Sequence, residues 1–231
     1  MPVEMERAME YQHGLEAYKA GDYAAAVKYF EEVADQDMEN GGLFYNLGNA
    51  HLKNQDLGRA ILWYERAARL IPTDPDLRYN LEYARSLLTD AQERSPSVLG
   101  RVLFFWKDIL PPHWIRTMAL AGNALLWLAL ATAALTGRGG FKRAAVAGLV
   151  IAVLFLPSAL HGLYEQEYSR TGVVLVPEIS VRSGRGEQST ELFLLHAGTT
   201  VTLEDSREGY ARIRFAADKV GWIPATAVER I

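Results

Sequence analysis

The sequence predicts a multidomain membrane protein with an all-α repeat solenoid, an α-helical two-span transmembrane hairpin and an all-β small barrel. Three observations predict this organisation. Residues 7–40 and 41–74 align with each other at an offset of 34 residues. The stretches 117–135 and 144–164 contain no Asp, Glu, Lys or Arg. Beyond residue 168, short apolar runs alternate with turn-forming residues. A chain of 231 residues is long enough for these small domains.

The first part of the chain carries the repeat. Matching residues at the 34-residue spacing are Gly14 with Gly48, Asp22 with Asp56, Ala26 with Ala60, and Phe30 with Tyr64. A fixed period of this length indicates stacked helix pairs, with small residues where helices cross. The second copy, with Leu47-Gly48, Ala60, Tyr64, Ala67 and Pro72, resembles the tetratricopeptide repeat. A third copy begins near 75 and stops, so we expect a domain over 1–94 closed by a capping helix over 76–94. So short a solenoid should be marginal unless something else covers its ends.

The resemblance implies that the first helix of each repeat lines a concave groove. The positions it assigns to peptide or partner binding are Tyr11, Tyr18, Lys19, Tyr45, Asn49, Lys53, Tyr79 and Tyr83, with Leu15 and Leu52 beside them. Three of the tyrosines recur at 34-residue spacing. Aromatic rings with a few amide and ammonium groups suit an extended peptide. The alternative is that the tyrosines pack between repeats, half-buried, with their hydroxyls in water.

The middle of the chain predicts a membrane hairpin over 114–164. The apolar stretches 117–135 and 144–164 reach about 28 and about 32 Å as helices, enough for a hydrocarbon core of about 30 Å. Neither has a polar face, although Asn123 stands alone in the first. A buried hairpin in a soluble core is the alternative, but soluble helices normally keep a polar face. A linker precedes the hairpin over 95–113, in which 98–110 reads as an interfacial amphipathic helix or a packed linker helix.

Charge favours one orientation of this hairpin. Residues 95–164 contain 6 basic and 1 acidic residue, whereas 1–94 contain 10 and 17, and 165–231 contain 8 and 10. The positive-inside rule places the short basic turn 136–143 in the cytoplasm and both soluble domains outside. Against it, Arg101, Lys107 and Arg116 lie beyond the other end of the first span, and residues 1–12 lack the apolar core of a signal peptide. The inverted topology, a cytosolic adaptor, is the alternative.

Residues 171–231 contain five or six short alternating runs separated by turn formers, which predicts a small barrel. Three motifs occur in order: Ser180-Val181-Arg182-Ser183-Gly184, Leu195-His196-Ala197-Gly198-Thr199 and Gly221-Trp222-Ile223. They resemble bacterial SH3 (SH3b) domains, although Tyr210 stands where the family commonly has tryptophan. The resemblance implies ligand contacts at Glu178, Tyr210 and Trp222. Trp222 is equally well explained as part of the barrel core.

The residues give no sign of catalysis. The chain has no cysteine, and its histidines (13, 51, 113, 161 and 196) are scattered without ligand-like spacing. The glycine-rich run 137–140 joins two membrane helices, so it is a turn and not a phosphate loop. We expect no catalytic residue, no metal site and no cofactor, so the chain is predicted not to be an enzyme. No basic patch indicates nucleic acid.

The order of these parts resembles the BatE-type proteins of bacterial aerotolerance (Bat) operons. The resemblance covers essentially the whole chain and includes Tyr79-Asn80-Leu81-Glu82 after the repeats. It implies the bacterial inner membrane, with both soluble domains in the periplasm. It also implies von Willebrand factor A-domain membrane proteins and a MoxR-type AAA ATPase as partners, in envelope protein maintenance or tolerance of oxidative stress. An envelope sensor whose SH3b domain binds peptidoglycan or cell-wall peptides is the alternative.

Overall fold

The structure, a computed structural model, describes residues 3–35, 39–90, 106, 109–110, 112–137, 139–168, 170–186 and 188–231. The described residues form two compact units. One unit joins Met1–Arg94 to Arg170–Ile231, and the other is Ser95–Ser169. The helical repeats and the C-terminal sheet, which lie on either side of the apolar stretches in sequence, therefore belong to one unit.

Five helices occupy residues 3–35 and 39–90. They are α1 (Val3–Ala20), α2 (Tyr23–Ala34), α3 (Gly41–Lys53), α4 (Leu57–Leu70) and α5 (Pro75–Ser86). Helices α2 to α5 each begin after a capping side chain that accepts a hydrogen bond from the first turn: Asp22, Asn40, Asp56 and Asp74. Such caps satisfy N–H groups that have no partner within the helix. Because Asp56 follows Asp22, and Asp74 follows Asn40, by 34 residues, the caps repeat with the period of the sequence.

The two helices of each full repeat cross at a glycine. A Cβ atom at Gly14 would lie 2.5 Å from the buried ring of Phe30, and Gly48 faces the buried ring of Tyr64 in the same way. The third copy has an exposed glutamate, Glu82, at this position. A glycine is needed only where a second helix crosses closely, so this difference agrees with a repeat that consists of one helix.

Helix α5 ends at Ser86, whereas the sequence predicts a capping helix over 76–94. The Leu87 N–H bonds to the carbonyls of Ala84 and Arg85, and the chain turns away from the helix axis. Leu88 then packs on the helical core, and Asp90 accepts hydrogen bonds from the sheet. Contacts distant in sequence therefore end the helix early. Residues 91–94 lie outside the described residues.

In residues 170–186 and 188–231 the chain forms a seven-stranded antiparallel sheet in the order β3-β2-β6-β5-β4-β1-β7. The strands are β1 (Thr171–Val174), β2 (Glu178–Arg182), β3 (Glu191–His196), β4 (Thr200–Arg207), β5 (Tyr210–Ala216), β6 (Lys219–Pro224) and β7 (Val228–Arg230). Strands β2 to β6 contain their predicted runs, whereas β1 ends at Val174, two residues before the end of the run 173–176. Strand β7 exceeds the predicted number because its three residues are too few to show alternation. The core of the sheet contains Val174, Val181, Leu195, Val201, Ile213 and Ile223.

The sheet packs against the helices within this unit. Val173 of β1 is fully buried in the helical cluster that contains Ile61 of α4 and Leu77 of α5. The Arg66 guanidinium of α4 donates hydrogen bonds to the Glu229 carboxylate (2.8 Å) and to the carbonyl of Arg230 (2.7 Å). Strands β1 and β7 therefore cover apolar surface that a solenoid would otherwise bury against a further repeat.

A polar contact joins the segment after α5 to the loop between β3 and β4. The Asp90 carboxylate accepts hydrogen bonds from the Thr199 hydroxyl (2.5 Å) and the His196 backbone N–H (2.8 Å), and lies 3.0 Å from His196 Nδ1. Burial acts to raise the pKa of Asp90, but the hydrogen bonds from Thr199 and His196 outweigh it and lower that pKa. The hydrogen bond with Asp90, and the nearby Glu178 carboxylate, raise the pKa of His196.

The second unit contains two antiparallel helices, α6 (Pro112–Thr136) and α7 (Gly140–Tyr168). Both extend beyond the predicted spans 117–135 and 144–164. They contact each other along small residues: a Cβ atom at Gly148 would lie 2.6 Å from the backbone nitrogen of Leu126, and one at Gly122 would meet Ile151 at the same distance. The segments His113–Thr136 and Gly140–Leu160 are long and apolar enough to cross a membrane. Most of the predicted interfacial helix over 98–110 lies outside the described residues.

Candidate partner-binding groove

The predicted groove positions lie on α1, α3 and α5, the first helices of successive repeats. Two of the tyrosines are engaged by the next repeat. The Asn46 amide donates to the Tyr11 hydroxyl (2.8 Å), and the Asn80 amide donates to the Tyr45 hydroxyl (3.0 Å). Both pairs are half-buried and separated by 35 residues in sequence. These tyrosines therefore connect repeats, and their hydroxyls bond to protein and not only to water.

Asn49 belongs to a network behind this surface. Its side-chain carbonyl accepts hydrogen bonds from the Tyr64 hydroxyl (2.7 Å) and from the Asn80 amide (2.8 Å). Tyr64 is fully buried, and this burial raises the pKa of its hydroxyl, so it stays a neutral donor. A partner that hydrogen bonds to Asn49 would have to use the side-chain N–H₂, because both described bonds use the oxygen.

The remaining predicted positions are more open. Lys19, Lys53, Tyr79 and Tyr83 are exposed, and the two tyrosines of α5 expose 73% and 52% of their surface. Tyr18 is half-buried, with its ring 5.3 Å from that of Tyr23, and burial raises its pKa. Leu15 and Leu52 pack against the two helical core clusters. Four of the predicted positions are therefore exposed, and we call these four residues, Lys19, Lys53, Tyr79 and Tyr83, the open groove.

Sequence reasoning missed the asparagines. Asn46 and Asn80 hold consecutive repeats together, although neither was among the predicted site residues. Their signal was present, because the dipeptide Tyr-Asn occurs at 45–46 and again at 79–80, with Tyr-Gln at 11–12. The asparagine after each of these two tyrosines places a donor on α3 and on α5 for the tyrosine hydroxyl of the preceding repeat.

The predicted contacts on the sheet do not come together at one point. Trp222 of β6 pairs with Arg182 of β2 and with Arg212 of β5, and its neighbour Ile223 enters the core. Trp222 is half-buried on the opposite face, where the Arg185 guanidinium lies 5.5 Å from its ring. Tyr210 pairs with Pro224, two residues from Trp222 on β6. Glu178 lies at the start of β2, four residues from Arg182, with its carboxylate 3.5 Å from His196 Nε2.

The described residues contain no group of three His, Cys, Asp or Glu side chains that could hold a metal ion. Among the histidines whose side chains are described, His51 is the most enclosed, and it lies 3.5 Å from Glu31 and 3.8 Å from Asp56 without a hydrogen bond to either. The open groove presents two lysines and two tyrosines, which are cationic and aromatic groups.

Comparison with known proteins identifies the helical part. Residues 11–75 match the tetratricopeptide repeat family. Over 87 residues the chain is 32% identical to the Photosystem I assembly protein Ycf3 of Prochlorococcus marinus strain NATL2A, and 31% identical to that of strain NATL1A. Each alignment covers 35% of this chain, which spans about half the length of these curated relatives. The tetratricopeptide-repeat region predicted from the 34-residue period is thus confirmed, and such repeats generally serve as interaction modules.

Proposed function

We propose that this protein is a membrane-anchored scaffold that binds partner proteins through the open groove. The proposal rests on the observation that the sheet covers one part of the helical surface and leaves another part exposed. The sheet covers apolar surface of α4 and α5, whereas Lys19, Lys53, Tyr79 and Tyr83 remain exposed. Tyrosine supplies a large contact area at low entropic cost, and lysine adds hydrogen bonds to carbonyls or carboxylates of an extended segment.

The second unit supports membrane anchorage. Its helices place small residues between them and large apolar residues outward, for example Leu120 and Val153. Only 17% and 28% of the two candidate spans are buried. A helix pair from a soluble core would be mostly buried, whereas lipid-facing helices pack through small residues and expose large ones.

Both soluble parts are proposed to lie on the same side of the membrane. An even number of spans between them allows this, and the packing of β1 on α4 and α5 supports it. The positive-inside rule favours the cytoplasm for the basic turn 136–143, so we propose that the helices and sheet are extracytoplasmic. In a bacterium this is the periplasmic side of the inner membrane.

The resemblance to BatE-type proteins supplies the proposed partners. These are membrane proteins with von Willebrand factor A domains and a MoxR-type AAA ATPase, acting in envelope protein maintenance or tolerance of oxidative stress. The Ycf3 relatives are named assembly proteins. A general role in assembling protein complexes is in keeping with a groove that binds other chains and lacks predicted catalytic groups.

Co-purification in mild detergent tests the groove. We expect the tagged full chain to recover von Willebrand A-domain membrane proteins, and Lys53→Ala and Tyr83→Ala to reduce that recovery. Lys28→Ala removes an exposed lysine from α2, outside the groove, and is the matched control. If all three variants recover the same proteins as the unchanged chain, the groove is not the binding surface.

A second function is favoured by one observation on the sheet. Trp222 lies on the outer face beneath Arg185 and is flanked by two further arginines. We propose the sheet as an SH3b-like barrel that binds peptidoglycan or cell-wall peptides, in which case the protein is an envelope sensor. Binding of the full chain to purified sacculi, lost in Trp222→Ala, would support this function. Equal binding to sacculi by the unchanged chain and by Trp222→Ala would refute a cell-wall binding site at Trp222.

A further inference from the structure

Near the middle of the first candidate span, one described polar side chain, that of Asn123, makes no hydrogen bond to another described residue. Asn123 lies about 2 Å along the helix axis from the midpoint of the candidate span His113–Thr136. The hydroxyls of Thr117 and Thr132 bond to carbonyls of their own helix. The Asn123 amide has no hydrogen-bond partner among the described residues. In hydrocarbon, no water is available to replace a missing partner.

The position of Asn123 on α6 explains why α7 does not satisfy it. The side of α6 that faces α7 carries Ala119, Gly122 and Ala129. Because successive residues are rotated by about 100°, Asn123 lies on the flank of this contact. Leu120 and Trp127, one turn before and one turn after it, expose 72% and 65% of their surface. An amide therefore sits in the middle of an outward-facing apolar strip.

We propose that Asn123 pairs with Asn123 of a second copy of this chain, and that the strip formed by Leu120, Asn123 and Trp127 joins two hairpins in the membrane. This inference rests on the proposed membrane anchorage. A carboxamide is both donor and acceptor, so two copies related by a twofold axis satisfy each other with no further chemistry. The strip is otherwise uncharged and apolar, which matches a second copy of itself. Arg116 is on the same flank but in the first turn of the candidate span, from which a long charged side chain can extend to the headgroups.

Interhelical amide hydrogen bonds are an established means of helix association in membranes. The hairpin contact of α6 with α7 is made of small apolar residues and leaves this amide outside. Dimerisation therefore does not compete with the folding of the hairpin. It uses a face of α6 other than the one that contacts α7.

Cysteine cross-linking in native membranes tests the pairing, because the chain has no cysteine of its own. Single cysteines are placed at Leu120→Cys and Trp127→Cys. The control is Leu125→Cys, which is about 200° around the helix from Asn123 and exposes 39% of its surface. With an oxidant, we expect cross-linked dimers of twice the chain mass at positions 120 and 127, and none at 125. Asn123→Leu should lower the dimer yield about tenfold, and Asn123→Gln should retain it.

Several results would overturn the pairing. Equal cross-linking at position 125 would show random collision, and an undiminished yield in Asn123→Leu would show that the amide is not used. A cross-linked product whose mass equals this chain plus a different protein would show that the strip binds that protein and not a second copy. Alkaline extraction separates this failure from failure of the anchor: a chain released from the membrane by carbonate is not spanning it, whereas a retained but monomeric chain refutes only the pairing.

Discussion

Val173 provides the most direct test of the contact between helices and sheet. It belongs to β1, pairs with Thr200 and Glu229 in the sheet, and yet its side chain is fully buried among residues of α4 and α5. Val173→Ala shortens this side chain without changing the backbone hydrogen bonds. The substitution therefore removes apolar contact with the helical core and leaves the ladder intact.

The magnitude follows from the deleted carbons. Two methyl groups, each worth about 0.8 kcal/mol on burial, give about 1.6 kcal/mol. The space left between α4, α5 and β1 adds to this, because such cavities collapse only in part, so we expect a total of about 2 kcal/mol. For amides that exchange through opening of this contact, that loss corresponds to about a thirtyfold decrease in protection.

Hydrogen exchange measured by mass spectrometry on the detergent-solubilised full chain is the assay. We expect faster exchange in Leu57–Leu70 and Pro75–Ser86 of Val173→Ala, since these helices lose their cover. Val181→Ala is the matched control. It deletes the same two carbons from an equally buried valine in the core of the sheet, away from the helical cluster.

The reasoning would be refuted by unchanged protection of α4 and α5 in Val173→Ala, with faster exchange confined to the sheet. The helices would then be stable without the cover that β1 provides. An equal loss of helical protection in Val181→Ala would instead show that the whole unit opens at once. The contact of Val173 with the helices would then make no separate contribution to the protection of α4 and α5.

Three further predictions concern the same unit. Stability should fall as pH rises through the pKa of His196, which is raised above 6.5, and again as pH falls through that of Asp90, which is lowered below 3.8. In denaturant midpoints measured across pH, His196→Gln should abolish the loss at rising pH and reduce the loss at falling pH, because Thr199 and the backbone N–H of residue 196 still donate to Asp90. Gly48→Ala places a methyl group against the Tyr64 ring, and overpacking of this kind should lower the free energy of unfolding by about 1–3 kcal/mol, read from denaturant titration. Tyr64→Phe removes the hydroxyl that donates to Asn49 and should cost about 1 kcal/mol by the same titration, while leaving helical circular dichroism unchanged.

Local patterns predicted most of the helices and strands. The 34-residue period and the recurrent caps, such as Asp22 and Asp56, correspond to helices that begin where the caps stand. The alternating runs correspond to six of the seven strands. In both cases the signal is short-range, because capping and strand alternation depend on residues that are neighbours in sequence.

The contact between helices and sheet could not be predicted in this way. The run Val173-Val174-Leu175-Val176 reads as a single apolar stretch, and nothing local shows that Val173 faces the helices while Val174 faces the sheet core. An unbroken apolar run does indicate burial on both faces, which was a usable signal. No local sequence signal indicated that Asp90 accepts hydrogen bonds, because its donors lie more than 100 residues later in the chain.

The same contact has a consequence for how the protein is made. Helices α4 and α5 are synthesised well before β1, and both apolar segments of the second unit come between them. Ile61 and Leu77 therefore lack the contact with Val173 until the C-terminal residues have been synthesised. A chain that stalls before residue 171 presents an unfinished apolar face, which is the feature that chaperones and proteases recognise in incomplete proteins.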